Sequence, residues 1–253
     1  MKPYLSVVIP AYNEVPNLKR GVLDSVVSYL KQQSYTWEVL VVDDGSTDDT
    51  SGFVKKFIKQ NKGFSLHQEP HRGKAGTVIA GMLKAQGEII LFTDMDQATP
   101  IDQLEKLLPK FNTGYDIAIG SRKGRKGAGV LRLIMAYGFS VLRLVILRLP
   151  YKDTQCGFKA FTSKATQEIF KSLRVFQENQ SAVGSAVTAG FDLEVLYIAR
   201  KRGYKVAEVP VEWSDVGDRG KHGVNPLKDS WQGFRDLMRV RVNALMGKYA
   251  SKV

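Results

Sequence analysis

The sequence predicts an α/β fold, a mostly parallel sheet flanked by helices and closed by amphipathic helices at its C-terminal end. Three observations predict it. Short apolar runs alternate with helical patterns in a strand, helix, strand rhythm that implies right-handed crossovers. Several of those runs end in acidic turns. The last third holds two long helical patterns with apolar faces and arginine beside them. With 253 residues and 43% hydrophobic composition, the chain can bury a full core as one domain over 1–253.

Tyr4 to Pro10 (YLSVVIP) reads as a first buried strand, followed by Ala11, Tyr12, Asn13 and Glu14. Leu18, Val22, Val26 and Leu30 then recur at four-residue spacing, as on one face of a helix. Trp37 to Val42 is the next strand and runs into Asp43-Asp44-Gly45-Ser46-Thr47-Asp48. Thr47 or Asp48 can cap the helix carrying Phe53, Phe57 and Ile58. After a short strand near Phe64 to Gln68, Gly73 and Gly76 open a helix behind Arg72 and Lys74. Exposed amides beside two cations suit an anion; two solvated basic residues at a glycine-rich helix entry are the plain alternative. The spacing matches neither G-x-G-x-x-G nor G-x-x-x-x-G-K-[ST], which excludes nicotinamide and P-loop readings.

Glu88 to Pro100 (EIILFTDMDQATP) organises the chain. Ile89 to Phe92 form a buried strand, and Asp94 and Asp96 follow it with Met95 between them. Ligands of an open α/β sheet bind beyond the carboxyl ends of its strands. Two hard carboxylates there suit Mg²⁺ or Mn²⁺ shared with substrate phosphates; a solvated turn with an Asx hydrogen bond is the alternative.

Tyr115 to Gly120 is a further strand, leading into the basic stretch SRKGRKGAG. Val130 to Leu149 is almost wholly apolar but carries Arg132, Arg143 and Arg148, so it packs in protein or lies at a membrane interface rather than crossing one. Asp153 to Lys159 (DTQCGFK) enters a short strand. Arg174 to Ala189 lacks periodicity and reads as a mobile loop. Phe191 to Arg202 is a helix with Asp192 and Glu194 near its start, where acidic residues also suit the dipole. Tyr204 to Trp213 is the last strand, DVGDRGKHG a basic loop, and Leu227, Trp231, Phe234, Met238, Val242 and Leu245 line one face of a final helix.

Charge divides the chain. Residues 1–100 hold eleven basic and eleven acidic side chains, so the net charge of +12 lies wholly in 101–253. The first part reads as a neutral ligand-binding half; the second faces something anionic, such as nucleic acid, acidic headgroups or phosphorylated substrates. The basic residues are scattered over several elements without a nucleic-acid motif, which argues against nucleic acid. One cysteine, Cys156, rules out an intramolecular disulfide and fits a reducing cytosol. No signal peptide is expected ahead of the first strand, and no apolar run is long enough to span a bilayer.

PAYNE, VVDDGSTDDT, HRGKAG, DMD, GSR, DTQCGFK and FDLEVLYIA occur in one order over Leu5 to about Lys248. In this the chain resembles the GT-A glycosyltransferases of family two and, within them, the polyprenyl-phosphate (dolichyl-phosphate) sugar synthases. DTQCGFK and FDLEVLYIA look like the dolichyl-phosphate glucosyltransferase branch. Mannosyl relatives usually carry a glutamine two residues after the second aspartate; here that place is Ala98, with Gln97 one position early. The stretch before Phe191 is longer than the family usually shows, and the membrane helix with which eukaryotic glucosyl enzymes begin is expected to be missing.

The resemblance implies transfer of a hexose, glucose from UDP-glucose, to a lipid phosphate with inversion. Mannosyl transfer from GDP-mannose, or a GT-A transferase of polysaccharide synthesis acting on a hydroxyl, are the alternatives. It implies a divalent cation held by Asp96 with Asp94 close by. Pro10, Ala11, Tyr12, Glu14 and Asp44 would hold base and ribose with Lys74 nearby, Arg219 and Lys221 would face the diphosphate, and Arg122 and Arg132 would grip the acceptor phosphate. Asp192 occupies about the place of the base of hydroxyl-accepting relatives, and here reads as orienting. The implied location is the cytoplasmic face of a membrane, peripherally bound, either directly or through a separate membrane subunit.

Overall fold

The computed structural model describes residues 2–122, 130–175, 190–214 and 226–249, with side chains except those of 130–136 and 226–230. In chain order the strands are β1 (Leu5–Ala11), β2 (Trp37–Asp43), β3 (Phe64–Gln68), β4 (Ile89–Thr93), β5 (Ile117–Arg122), β6 (Phe158–Thr162) and β7 (Val206–Val211). The helices are α1 (Val15–Lys19), α2 (Val22–Lys31), α3 (Thr50–Gln60), α4 (Gly73–Lys84), α5 (Leu104–Asn112), α6 (Val130–Leu147), α7 (Ser163–Phe170), α8 (Gly190–Lys201) and α9 (Pro226–Leu245).

The strands form one seven-stranded sheet in the order β3-β2-β1-β4-β6-β5-β7. All neighbours are parallel except at β6, which runs antiparallel to both β4 and β5. β1 lies in the interior between β2 and β4 and is buried at all seven residues, as a strand covered on both faces must be. Its side chains alternate between two cores. Val8 packs with Val42, Ile79, Met82, Phe161 and Leu196 on one face. Leu5, Val7 and Ile9 pack with Leu23, Leu30, Val54 and Leu104 on the other.

The apolar face expected from Leu18 to Leu30 is shared by two helices. Gly21, at φ 75°, makes the turn between them, a left-handed conformation that glycine adopts without steric cost. At the start of α3 the N-cap is Asp49, which makes no side-chain cap bond, so neither of the two capping candidates holds that place; Asp48, one residue earlier, accepts from the Thr50 amide at 3.0 Å through its Oδ1. The short helices α5 and α7 are amphipathic but were not expected. The reversal at β6 was not expected either, since the length between β5 and β6 suits a crossover of either sense.

α6 and α9 pack against each other at one side of the molecule. Both leave apolar side chains in solvent: Tyr137, Val141, Leu144 and Val145 from α6, and Trp231, Met238, Val242 and Leu245 from α9. Arg143 turns the other way. It is buried and donates to Thr154 Oγ1 at 3.2 Å and to the Tyr151 carbonyl. Among the described residues no helix is long and apolar enough to cross a membrane. The stretch expected to be a mobile loop lies outside the described residues from 176 to 189, as do the basic stretches 123–129 and 215–225.

Candidate active site

The parallel register sets Ala11 beside Asp43 and Val8 beside Phe92, so β1, β2 and β4 end at one edge of the sheet. Residues 12–14, Asp44, Asp94 and Asp96 emerge there together. Asn13, at φ 55°, closes the two nearest turns on each other: its Oδ1 accepts from the amides of Thr47 at 2.9 Å and Asp48 at 3.3 Å, while its own amide donates to Ser46 Oγ at 3.0 Å. The Glu14 amide donates to Thr50 Oγ1 at 2.7 Å.

The adjacent aspartates at the end of β2, Asp43 its last residue and Asp44 the next, have separate tasks. Asp43 is buried and accepts from the Ser46 amide at 3.1 Å and from the hydroxyls of Ser46 and Ser51, which makes it the internal brace of the turn. Asp44 reaches across to the entry of α4. Its Oδ1 accepts from the Arg72 amide at 2.8 Å, and its Oδ2 lies 2.9 Å from His71 Nδ1. His71 in turn stacks on Tyr12 with ring centroids 4.3 Å apart and planes 17° from parallel. An aromatic platform over a buried carboxylate results, a surface suited to a flat heterocycle.

Asp94 and Asp96 flank Met95, which is buried and anchors the turn. Asp96 Oδ1 accepts from the Ala98 amide at 3.0 Å, the Asx bond anticipated for such a turn. Gln97, in a left-handed backbone conformation, turns back and donates to the Asp94 carbonyl at 3.0 Å. Lys74 Nζ stands 2.5 Å from Asp94 Oδ1. Burial works to lower the Lys74 ammonium's pKa, but the carboxylates of Asp94, Asp192 and Asp96 outweigh it and raise it. Burial, reinforced by Asp96 and Asp94, pushes the Glu14 carboxyl up. The start of α4 thus faces the acidic turn with a cation, while the Arg72 amide is spent on Asp44.

β6 adds what the sequence did not reveal. Because it runs antiparallel, its first residues lie beside the end of β4, with Lys159 opposite Phe92 and Phe158 opposite Thr93. Lys159 is fully buried, passes over the Phe92 ring at 5.3 Å, and donates to Asp192 Oδ1 at 2.8 Å and to the Cys156 carbonyl. Asp192 therefore joins the same site from α8. Burial raises its carboxyl, with the Lys159 and Lys74 ammonium groups opposing.

Arg122, at the end of β5, holds Asp153 through both ends of its guanidinium, Nε to Oδ2 at 2.6 Å and Nη2 to Oδ1 at 2.9 Å, and lies 5.6 Å from the Trp213 ring. Against the upward push of burial, this pairing holds the Asp153 carboxyl below its ordinary value. Arg122 is thus already engaged by a carboxylate, which sequence reasoning did not anticipate. Pro10 and Ala11 are the last residues of β1. Arg219 and Lys221 lie outside the described residues, as does the side chain of Arg132, whose backbone belongs to α6.

Among the described residues no three His, Cys, Asp or Glu side chains gather into a ready metal cage. Two carboxylates on one turn still fit Mg²⁺ or Mn²⁺, which take one or two protein carboxylates and complete their shell with phosphate oxygens and water.

The sequence profile of Glycosyl transferase family 2 matches residues 6–170. A dolichyl-phosphate beta-glucosyltransferase of Trichomonas vaginalis, ALG5C, is 37% identical over 85% of this chain, and the match spans 65% of that relative's length. Dolichyl-phosphate beta-glucosyltransferases of Dictyostelium discoideum and Homo sapiens are 32% and 33% identical over 98% and 97% of the chain, each match covering 77% of the relative. Among solved structures, glucosyl-3-phosphoglycerate synthase of Mycobacterium tuberculosis with uridine diphosphate aligns over 95% of this chain and 80% of its own, at TM-score 0.66 and 23% identity. Its complex with Mn²⁺, uridine diphosphate and glucosyl-3-phosphoglycerate aligns at TM-score 0.62 and 19% identity. At that distance the likeness is one of fold, the GT-A fold.

Proposed function

The chain belongs to glycosyl transferase family 2, and on that footing we propose that it transfers glucose from UDP-glucose to a dolichyl or other polyprenyl phosphate, with inversion at the anomeric carbon. The observation that carries this reading is the 32–37% identity with dolichyl-phosphate beta-glucosyltransferases, which with two of them extends over at least 97% of the chain. The acidic turn at the sheet edge supplies the chemistry such a transfer needs.

Residues 1–100 form the donor half in this reading. The uracil lies against Tyr12 and the Asp44–His71 pair, Pro10, Ala11 and Glu14 line the base and ribose, and Lys74 offsets negative charge beside the diphosphate. Asp96, with Asp94 beside it, would hold Mg²⁺ or Mn²⁺. When bound, the cation supplies Lewis-acid stabilisation of the departing diphosphate. Arg219 and Lys221 add positive charge on the same group.

Residues 101–253 form the acceptor half. Arg122 and Arg132 grip the lipid phosphate, Arg122 through donors that Asp153 leaves unused. A phosphate monoester has its second pKa near ~6 and is largely dianionic at neutral pH, so the nucleophile arrives without needing a base. Access to the lipid comes from the exposed apolar sides of α6 and α9, set in the half that carries all the net charge, which suits reversible binding at an anionic cytoplasmic membrane surface. Donor choice is tested by calorimetric titration with Mn²⁺ present: UDP is expected to bind more tightly than GDP, and the reverse order would favour mannosyl transfer from GDP-mannose.

A further inference from the structure

Lys159 is a fully buried cation whose counter-charge is partly exposed. Its side chain is 0% exposed, and that of Asp192 is 17% exposed. A buried ammonium is costly unless paired and hydrogen-bonded, and Lys159 meets both conditions, with Asp192 and the Cys156 carbonyl as acceptors and the Phe92 ring beneath. The antiparallel course of β6 puts it there, opposite Phe92 and within reach of Asp192. Asp192 also feels Lys74 from α4 and Asp94 from the end of β4, and Arg122 from β5 feels Asp192 in turn. Asp153 and Cys156, in the segment before β6, both sense the Lys159 charge.

We propose that Lys159 is a positioning residue that fixes Asp192 as a carboxylate at the rim of the cleft and ties it up as an acceptor for a substrate proton. Asp192 then serves as a fixed hydrogen-bond acceptor for hydroxyl groups in the cleft. The consequence is that Asp192 orients the groups that meet it and does not take a proton from them. This rests on the transferase reading and deepens it, but the ion pair itself can be tested without any turnover.

The experiment compares the full chain with Lys159→Met and with Lys159→Met/Asp192→Asn. Unfolding is followed first. Removing the ammonium leaves a half-buried carboxylate without its ion-pair partner, which is tolerated when protonated and costly when ionised. The melting-temperature deficit of Lys159→Met is therefore expected to grow as pH rises from 5 to 8 on the order of the usual carboxyl and neutral range, and the double variant is expected to lose that growth. A deficit that does not change with pH overturns the pairing. Transfer is then measured at constant Mn²⁺ with a short-chain isoprenyl phosphate and the matching alcohol. Asp192 is expected not to act as a base in the unaltered chain; efficient transfer to the alcohol would show that it does and overturns the proposal. In Lys159→Met, kcat is expected to fall about tenfold at neutral pH with both KM values little changed, and to recover as pH rises. A loss that persists at every pH overturns the positioning role. Absence of transfer to either acceptor by the unaltered chain would refute the function proposed above, while the unfolding comparison still decides the pair.

Discussion

A methyl group placed on Gly157 would stand 2.6 Å from the carboxylate carbon of Asp94 and 2.8 Å from its Oδ1. The glycine of DTQCGFK is therefore what lets Asp94 occupy its place beside Lys74, and it ties the segment before β6 to the acidic turn after β4. Gly157→Ala is expected to push Asp94 out of position and weaken UDP binding in the presence of Mn²⁺ by about tenfold, with the melting temperature little changed. Calorimetric titration against the unaltered chain checks this; unchanged affinity would mean that Asp94 tolerates displacement.

Activity is expected to require a divalent cation and both aspartates of the turn. Asp96→Ala should abolish turnover without unfolding the protein, since Asp96 is half-buried on a turn beyond the end of β4. Circular dichroism and a transfer assay, each with and without chelator, check the two halves of the statement. Full activity of Asp96→Ala in chelator would remove the metal from the account.

The Arg122–Asp153 pair predicts an acid-sensitive contribution to stability. The carboxyl is held below its ordinary value of 3.8, so its contribution is present above that pH and is lost as pH falls through the lower folded value. Asp153→Asn is expected to cost about 2 kcal/mol at neutral pH, with the difference from the unaltered chain closing below pH about 3.8. Urea unfolding at neutral and acidic pH measures both. A deficit of the same size at both would show that packing, not charge, is at stake.

The exposed sides of α6 and α9 predict binding to anionic vesicles at low salt. Each basic residue near the surface adds roughly 1 kcal/mol, and salt screens it. Val145→Glu and Leu245→Glu are expected to weaken flotation with vesicles while leaving the fold intact, because both residues are 70% exposed. No flotation of the unaltered chain even at low salt would instead favour recruitment by a separate membrane subunit.

Much of this molecule could be read from the chain because its central strands are continuous apolar runs that end in turn-forming acidic residues. β1, β2 and β4 and the meeting of Asp44, Asp94 and Asp96 at one edge all follow from that pattern. The pairings across the site could not be read. His71 on Tyr12, Lys159 on Asp192 and Arg122 on Asp153 join residues far apart in sequence, and nothing local sets them. Lys159 depended on the direction of β6, which sequence length alone leaves open. Arg143 shows the same limit on α6: an arginine in an apolar helix gives no sign of whether it turns to a headgroup or, as here, inward to Thr154 and Tyr151.

The most direct test of the central claim is mass-spectrometric detection of the lipid product after incubating the protein with polyprenyl phosphate, Mn²⁺ and either UDP-glucose or GDP-mannose. The account predicts a polyprenyl-phosphate hexose formed from UDP-glucose and absent when the cation is chelated. Formation of that product from GDP-mannose alone, or no lipid-phosphate hexose from either donor, would contradict it.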